Sequence, residues 1–232
     1  MMQPLDILVF GAHADDAEIG MGGTIAKHVK AGYRVGICDL TEAEMSSNGT
    51  VELRKEEAAA AARVLGLSRR SNLALPDRGL EPSRSQIDRI VTEIRACKPR
   101  VVFAPYWVDR HPDHVACSRL IEEAVFNAKL RRYMPELPAV QVEQLIYYYI
   151  NDTDQISLII DISEHYEAKR QSLLAYRSQF ESAAAGADRV ATPLTNRYIE
   201  RVEARDSQLG QARGWAYAEG FALKRPHAVQ FF

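Results

Sequence analysis

Short apolar runs alternate with longer amphipathic stretches along most of the chain. Asp6-Ile7-Leu8-Val9-Phe10 is apolar over a strand's length, and the helical pattern Ile19 to Lys30 follows it. Gly32 ends a turn, and Tyr33 to Leu40 reads as a second strand. The polar loop Thr41 to Gly49 carries the turn signal Ser46-Ser47-Asn48-Gly49. Thr50 is placed to cap the alanine-rich helix Val51 to Leu65, which Gly66 closes. Asn72 to Leu75 is a short strand and Pro76-Asp77-Arg78-Gly79 a turn. Ser85 with Asp88 resembles a capping box opening the helix Gln86 to Cys97, and Pro99 prevents its continuation.

Arg100 to Ala104 is the next buried strand, with the exit loop Pro105 to Pro112 and a helix from Asp113 to Leu130. After the proline-punctuated connection Tyr133 to Pro138, strands are expected over Gln144–Ile150 and Ser157–Ile162. Ser163 then caps a long helix, Glu164 to Phe180. Ala183 to Pro193 is rich in small residues and reads as a mobile stretch, with a lid as one use. A helix runs from Asn196 to Gln211, and Trp215 to Leu223 forms a last strand or extended segment. This alternation predicts a single Rossmann-like α/β domain over residues 1–232, with a largely parallel sheet flanked by helices.

Composition narrows the partners. Hydrophobic residues make up 47 % and charged residues 26 % of the 232 positions, as in a soluble globule. The formal net charge of -2 gives no basic excess for nucleic acid. No apolar run is long enough to span a membrane, and no signal peptide is evident, so a cytoplasmic protein is expected. Cys38, Cys97 and Cys117 have no Cys-x-x-Cys spacing and read as reduced core thiols. Gly20, Gly22 and Gly23 lack the Gly-x-Gly-x-x-Gly order of a dinucleotide loop, so close helix-to-sheet packing is the better reading.

The chemistry gathers at two strand-to-helix loops. Gly11-Ala12-His13-Ala14-Asp15-Asp16-Ala17-Glu18 follows the first strand, and Arg110-His111-Pro112-Asp113-His114 follows the strand Arg100–Ala104. Ligands collect at that edge of an open α/β sheet. Catalytic zinc takes three His/Asp/Glu ligands and keeps one position for water. His13, Asp16 and His114 supply such a set, leaving Asp15 as a candidate general base. His111 could donate to a developing oxyanion or protonate a leaving amine, with Asp113 accepting its other ring proton. Spacing alone does not order Asp15 and Asp16. The bland alternative is that both aspartates are helix caps and that His-Pro-Asp-His is a solvated loop. Two such clusters at equivalent sheet positions weigh against it.

Ala12-His13-Ala14-Asp15-Asp16 with His111-Pro112-Asp113-His114 resembles the zinc-dependent N-acetylglucosamine deacetylase superfamily. Leu40 to Thr50, Arg54-Lys55-Glu56-Glu57-Ala58, Leu75 to Gly79 and Tyr217-Ala218-Glu219-Gly220-Phe221 are similar to its bacillithiol-pathway branch, the N-acetylglucosaminyl-malate deacetylases. The resemblance implies Zn2+ on His13, Asp16 and His114, Asp15 as base and His111 as electrostatic or acid partner. It also implies Arg54 as a clamp for a substrate carboxylate and Tyr198 near the scissile carbonyl. Arg110 is a second anion contact on position alone. The implied partner is a small amino-sugar substrate, with no nucleic acid and no membrane, and the implied assembly is a homo-oligomer such as a hexamer. Rival readings are a deacetylase of N-acetylglucosamine oligomers, an amidase of thiol conjugates, a non-catalytic metal- or sugar-binding module and a nucleotide-binding module.

Overall fold

The computed structural model describes residues 3–182 and 189–226. Seven strands form one sheet: β1 (Ile7–Gly11), β2 (Val35–Thr41), β3 (Arg69–Leu75), β4 (Val101–Pro105), β5 (Gln144–Tyr148), β6 (Leu158–Asp161) and β7 (Ala218–Ala222). Their order is β3-β2-β1-β4-β5-β7-β6. The neighbouring pairs from β3 to β5 are parallel, and β7 runs antiparallel to both β5 and β6. The helices are α1 (Asp16–Lys30), α2 (Val51–Leu65), α3 (Arg84–Cys97), α4 (Pro112–Ala128), α5 (Tyr166–Leu174), α6 (Arg177–Phe180) and α7 (Tyr198–Gln211). β1 and β2 are buried along their whole length, as the central strands of a two-faced sheet must be.

The strand order fixes the site. β1 pairs with β4, but the chain leaves β1 toward β2 and leaves β4 toward β5. The loops after these strands therefore diverge and open a crevice at the carboxyl edge, the switch point where open sheets bind ligands. Gly11 allows the first loop to be tight: a Cβ there would lie 3.0 Å from the His13 carbonyl oxygen. Helix α1 lies so close to the sheet that a Cβ on Gly20 would clash with the Tyr148 ring of β5, and one on Gly23 would sit 2.6 Å from the Ile162 side chain just after β6. This bears out the helix-to-sheet packing expected of these two glycines, while Gly22 faces Lys169 of α5 instead. Thr50 caps α2 by accepting the Leu53 N–H, and Gly66 ends it with φ 68°. All three cysteines are free and buried.

Three local expectations are corrected. Helix α3 starts at Arg84 with Ser83 as its N-cap residue and no side-chain cap. Asp88 instead pairs with Arg84 at 2.8 Å and accepts from the Tyr133 hydroxyl. The long helix Glu164–Phe180 is three pieces: a 3-10 turn at Ser163–His165, then α5, then α6. It breaks at Tyr176 (φ -88°, ψ 62°), whose fully buried hydroxyl donates to Glu18 Oε1 at 2.8 Å. Ser163 does not cap it: its hydroxyl donates to Asp161 Oδ1 at 2.6 Å and accepts from the Ala216 and Tyr217 N–H groups. Of the small-residue stretch 183–193, residues 183–188 lie outside the described residues. Val190 exchanges two 2.9 Å hydrogen bonds with the Asn48 side chain.

Candidate active site

The crevice holds a cavity of about 560 Å³, lined among others by His13, Asp15, Asp16, His111, His114 and Tyr198. That volume suits a small organic ligand. Asp16, the first residue of α1, sits between two imidazoles. Its Oδ1 lies 3.1 Å from His114 Nε2, and its Oδ2 lies 3.7 Å from His13 Nδ1 and accepts the His13 backbone N–H. Burial opposes ionisation of Asp16, but the charge and hydrogen bond of His114, then His13, hold its carboxyl well below the ordinary range.

Asp15 points elsewhere. Its Oδ2 accepts from Arg54 Nη1 at 2.8 Å, and the same nitrogen donates to the Ala14 carbonyl at 2.6 Å. Burial pushes its pKa up to about 6, with the Arg54 charge opposing. Its backbone is also unusual, with φ 119°, a region that favours glycine. Arg54 is buried in α2; its Nη2 reaches Ser46 Oγ at 3.4 Å.

The remaining ring nitrogens of the two flanking histidines are held by carboxylates. His13 Nε2 lies 3.1 Å from Asp77 Oδ1 and 3.5 Å from Asp113 Oδ2. Burial would depress its pKa, but these carboxylates outweigh burial and push it up to about 10. His114 Nδ1 lies 3.0 Å from Asp109 Oδ1. Asp16 and Asp109 overcome burial there and raise its pKa to about 9. The pocket thus concentrates negative charge around two imidazoles and invites a cation.

Asp113 was expected to orient His111. Its side chain instead faces His13 and accepts from the backbone N–H and Nη1 of Arg78, both at 2.9 Å. The link to His111 is through the backbone: the Asp113 N–H donates to His111 Nδ1 at 3.2 Å, making His111 the N-cap of α4. This bond leaves the proton of a neutral His111 on Nε2. Burial, then the charges of His114 and His13, lower the His111 pKa. Tyr198 opens α7 and is buried, not exposed. Its hydroxyl donates to Asn151 Oδ1 at 3.0 Å, with the Ile150 carbonyl at 3.3 Å. Arg110 is exposed at the pocket rim.

Two groups could hold a metal among the described residues. The nitrogens of His13, His111 and His114 lie within 4.8 Å of one another, as do the donor atoms of His13, Asp77 and Asp113. Asp77 and Asp113 are already engaged by backbone N–H groups of Met45 and Arg78, which suits orientation more than coordination. His13 and His114, facing one carboxylate and each backed by another, have the donor chemistry of a zinc site with its supporting shell. The sequence reading did not single out Asp77, Asp109 or Asn151. Asp109 carried a signal as an acidic residue two positions before a His-x-x-His pair, and Asp77 as part of the Leu75 to Gly79 stretch that resembles the family branch.

An open α/β sheet with a His/Asp donor set at its switch point defines a metal-dependent enzyme. The profile of the PIG-L family, GlcNAc-PI de-N-acetylase, matches residues 8–125, which include both loops. The chain belongs to this family of amide-hydrolysing deacetylases. It is 31 % identical over 189 residues to the diacetylchitobiose deacetylase of Thermococcus kodakarensis, covering 75 % of this chain and 70 % of that one. It is 26 % identical over 190 residues to the "Probable N-acetyl-alpha-D-glucosaminyl L-malate deacetylase 2" of Bacillus subtilis, covering 75 % and 83 %. The 4-oxalmesaconate hydratase of Pseudomonas putida is 25 % identical over 96 % of this chain and 90 % of its own. The crystal structure of a conserved protein from Thermus thermophilus superposes with a TM-score of 0.89 at 40 % identity, covering 97 % of each chain. No helix among the described residues is long and apolar enough to cross a membrane.

Proposed function

We propose that this chain is a zinc-dependent N-deacetylase that cleaves N-acetylglucosaminyl malate to acetate and a free amine. The observation that carries the reading is the division of labour between neighbours: Asp16 faces two imidazoles, while Asp15 is held off them by Arg54. His13, Asp16 and His114 would hold the ion. When bound, Zn2+ lowers the pKa of water to about 7 and polarises a carbonyl.

The protein's own groups do the rest. Asp15, lining the cavity and fixed by Arg54, takes the proton of the attacking water. His111 presents its Nε2–H to the oxyanion that forms as the acetyl carbon becomes tetrahedral, and Tyr198 stands beside it. The C–N bond then breaks, and the proton held by Asp15 passes to the leaving amine. The malate preference rests on the resemblance of the flanking motifs to that branch and on three guanidinium groups at the cavity. Arg54, Arg78 and Arg110 all line it, and guanidinium suits carboxylate. Arg54 is proposed to serve Asp15 with Nη1 and a substrate carboxylate with its other edge.

The second reading, a deacetylase of N-acetylglucosamine oligomers, is favoured by the higher identity to the diacetylchitobiose enzyme. Metal analysis with acetate-release assays on the malate conjugate and on diacetylchitobiose decides between them. Faster turnover of the malate conjugate is expected, and preference for the oligomer overturns the substrate assignment. Zinc-loaded protein that hydrolyses no acetylated glucosamine overturns the enzyme reading. A cytoplasmic homo-oligomer is part of the same proposal.

A further inference from the structure

Asp109 lies in the loop between β4 and α4, with its side chain 4 % exposed. Four hydrogen bonds converge on its carboxylate. Oδ1 accepts from His114 Nδ1 at 3.0 Å, from the His111 N–H at 2.7 Å and from Asn151 Nδ2 at 2.9 Å. Oδ2 accepts from the Asn151 N–H at 3.2 Å. Asn151, which follows β5, supplies two of these four bonds. It is the main clamp on the group that aims His114 Nε2 at Asp16.

The Asn151 amide has one workable orientation. Its NH2 must face the carboxylate, because a carbonyl oxygen there would meet a second acceptor. That leaves Oδ1 for the Tyr198 hydroxyl, at 3.0 Å. A continuous path of hydrogen bonds therefore runs from the phenol through Asn151 and Asp109 to His114. It ties the loop after β4, the end of β5 and the start of α7 into one unit.

We infer that Asn151 is a positioning residue that couples the Tyr198 hydroxyl to the metal-binding orientation of His114 through Asp109. The inference rests on His114 being a metal ligand, as proposed above, but not on the identity of the substrate. Outer partners of ligating histidines are worth about 10- to 100-fold in metal affinity. Asn151→Ala should therefore bind Zn2+ about 10-fold more weakly by chelator competition, and Asp109→Asn at least as weakly. Neither should change the melting temperature of the metal-free protein by more than a few degrees. With zinc saturating, Asn151→Ala should lower kcat with KM little changed, because Tyr198 loses its anchor.

The deciding measurement is a double-mutant cycle of Asn151→Ala with Tyr198→Phe, read on Zn2+ affinity without substrate. Coupled residues give a double variant little worse than Asn151→Ala alone. Full multiplication of the two effects overturns the inference. So does an Asn151→Ala affinity within 2-fold of wild type. If Asn151→Ala does not fold, Tyr198→Phe alone still decides: weaker zinc binding supports the coupling, and unchanged binding refutes it. Coupling in the zinc assay with no hydrolysis of any acetylated glucosamine would leave this inference standing while the proposed function falls.

Discussion

The loops after β1 and β4 face each other across one crevice but are held in shape by opposite means. The first is tight and strained, and its functional residues, His13, Asp15 and Asp16, lie within four positions. Their partners come from far along the chain: Arg54 on α2 for Asp15, and Asp77 and Asp113 for His13. The second is longer and brings its own carboxylate, Asp109, five positions before His114. One loop takes its carboxylate partners from distant segments, while the other pairs His114 with a carboxylate of its own loop, which Asn151 then clamps from the end of β5. A site built this way depends on tertiary assembly for every partner of the first loop, and at the second loop only for the outer clamp.

The largest expected effect lies at the first loop. Asp15→Asn should lower kcat by about 10²- to 10⁴-fold, the range of a general base, with zinc content unchanged by metal analysis. Lost zinc would mean that Asp15 belongs with the ligands and that the division between the neighbours is wrong. Next come its distant partners. Asp77→Asn and Asp113→Asn should each weaken Zn2+ binding by about 10- to 100-fold in a chelator titration, showing that the loop is oriented from outside. Unchanged affinity in both would put the first loop on the same local footing as the second. Arg54→Ala should slow a neutral acetylated glucosamine through Asp15 and the malate conjugate by a far larger factor, because the carboxylate clamp is lost as well. Equal losses on both substrates would remove carboxylate binding from the tasks of Arg54. The smallest effect is expected at the rim of the second loop. Arg110→Ala should raise KM for the malate conjugate by less than about 10-fold, since an exposed charge is largely screened, with kcat unaltered.

The same contrast explains what could be read from the sequence. The alternation of apolar and amphipathic runs gave the parallel β1–β5 half and both site loops, because strand, turn and cap chemistry are local. The convergence of the two loops followed from topology, and the family resemblance set Asp16 rather than Asp15 beside the two histidines. The partners did not. His13 meets Asp77 across 64 positions, and no pattern along a chain marks such a pair. Asp113 was paired with His111 because the two are close in sequence. The start of α4 instead gives His111 the Asp113 backbone N–H and sends the carboxylate to His13. The break at Tyr176 was hidden in the same way, since the hydroxyl of that residue bonds to Glu18, 158 positions away.

Asp15 occupies a backbone conformation at φ 119° that glycine adopts without penalty. Once the carboxylate is gone, the usual ranking of small residues should therefore invert. Asp15→Gly should be more stable than Asp15→Ala by about 1 kcal/mol or more in urea denaturation, and an alanine variant of equal or greater stability would show the strain to be absent. The strained conformation is sustained by the buried pair with Arg54, since removing the carboxylate would leave that guanidinium charge buried without its partner. The residue proposed to move the proton is thus also the one that neutralises its neighbour, and any replacement has to answer both demands at once.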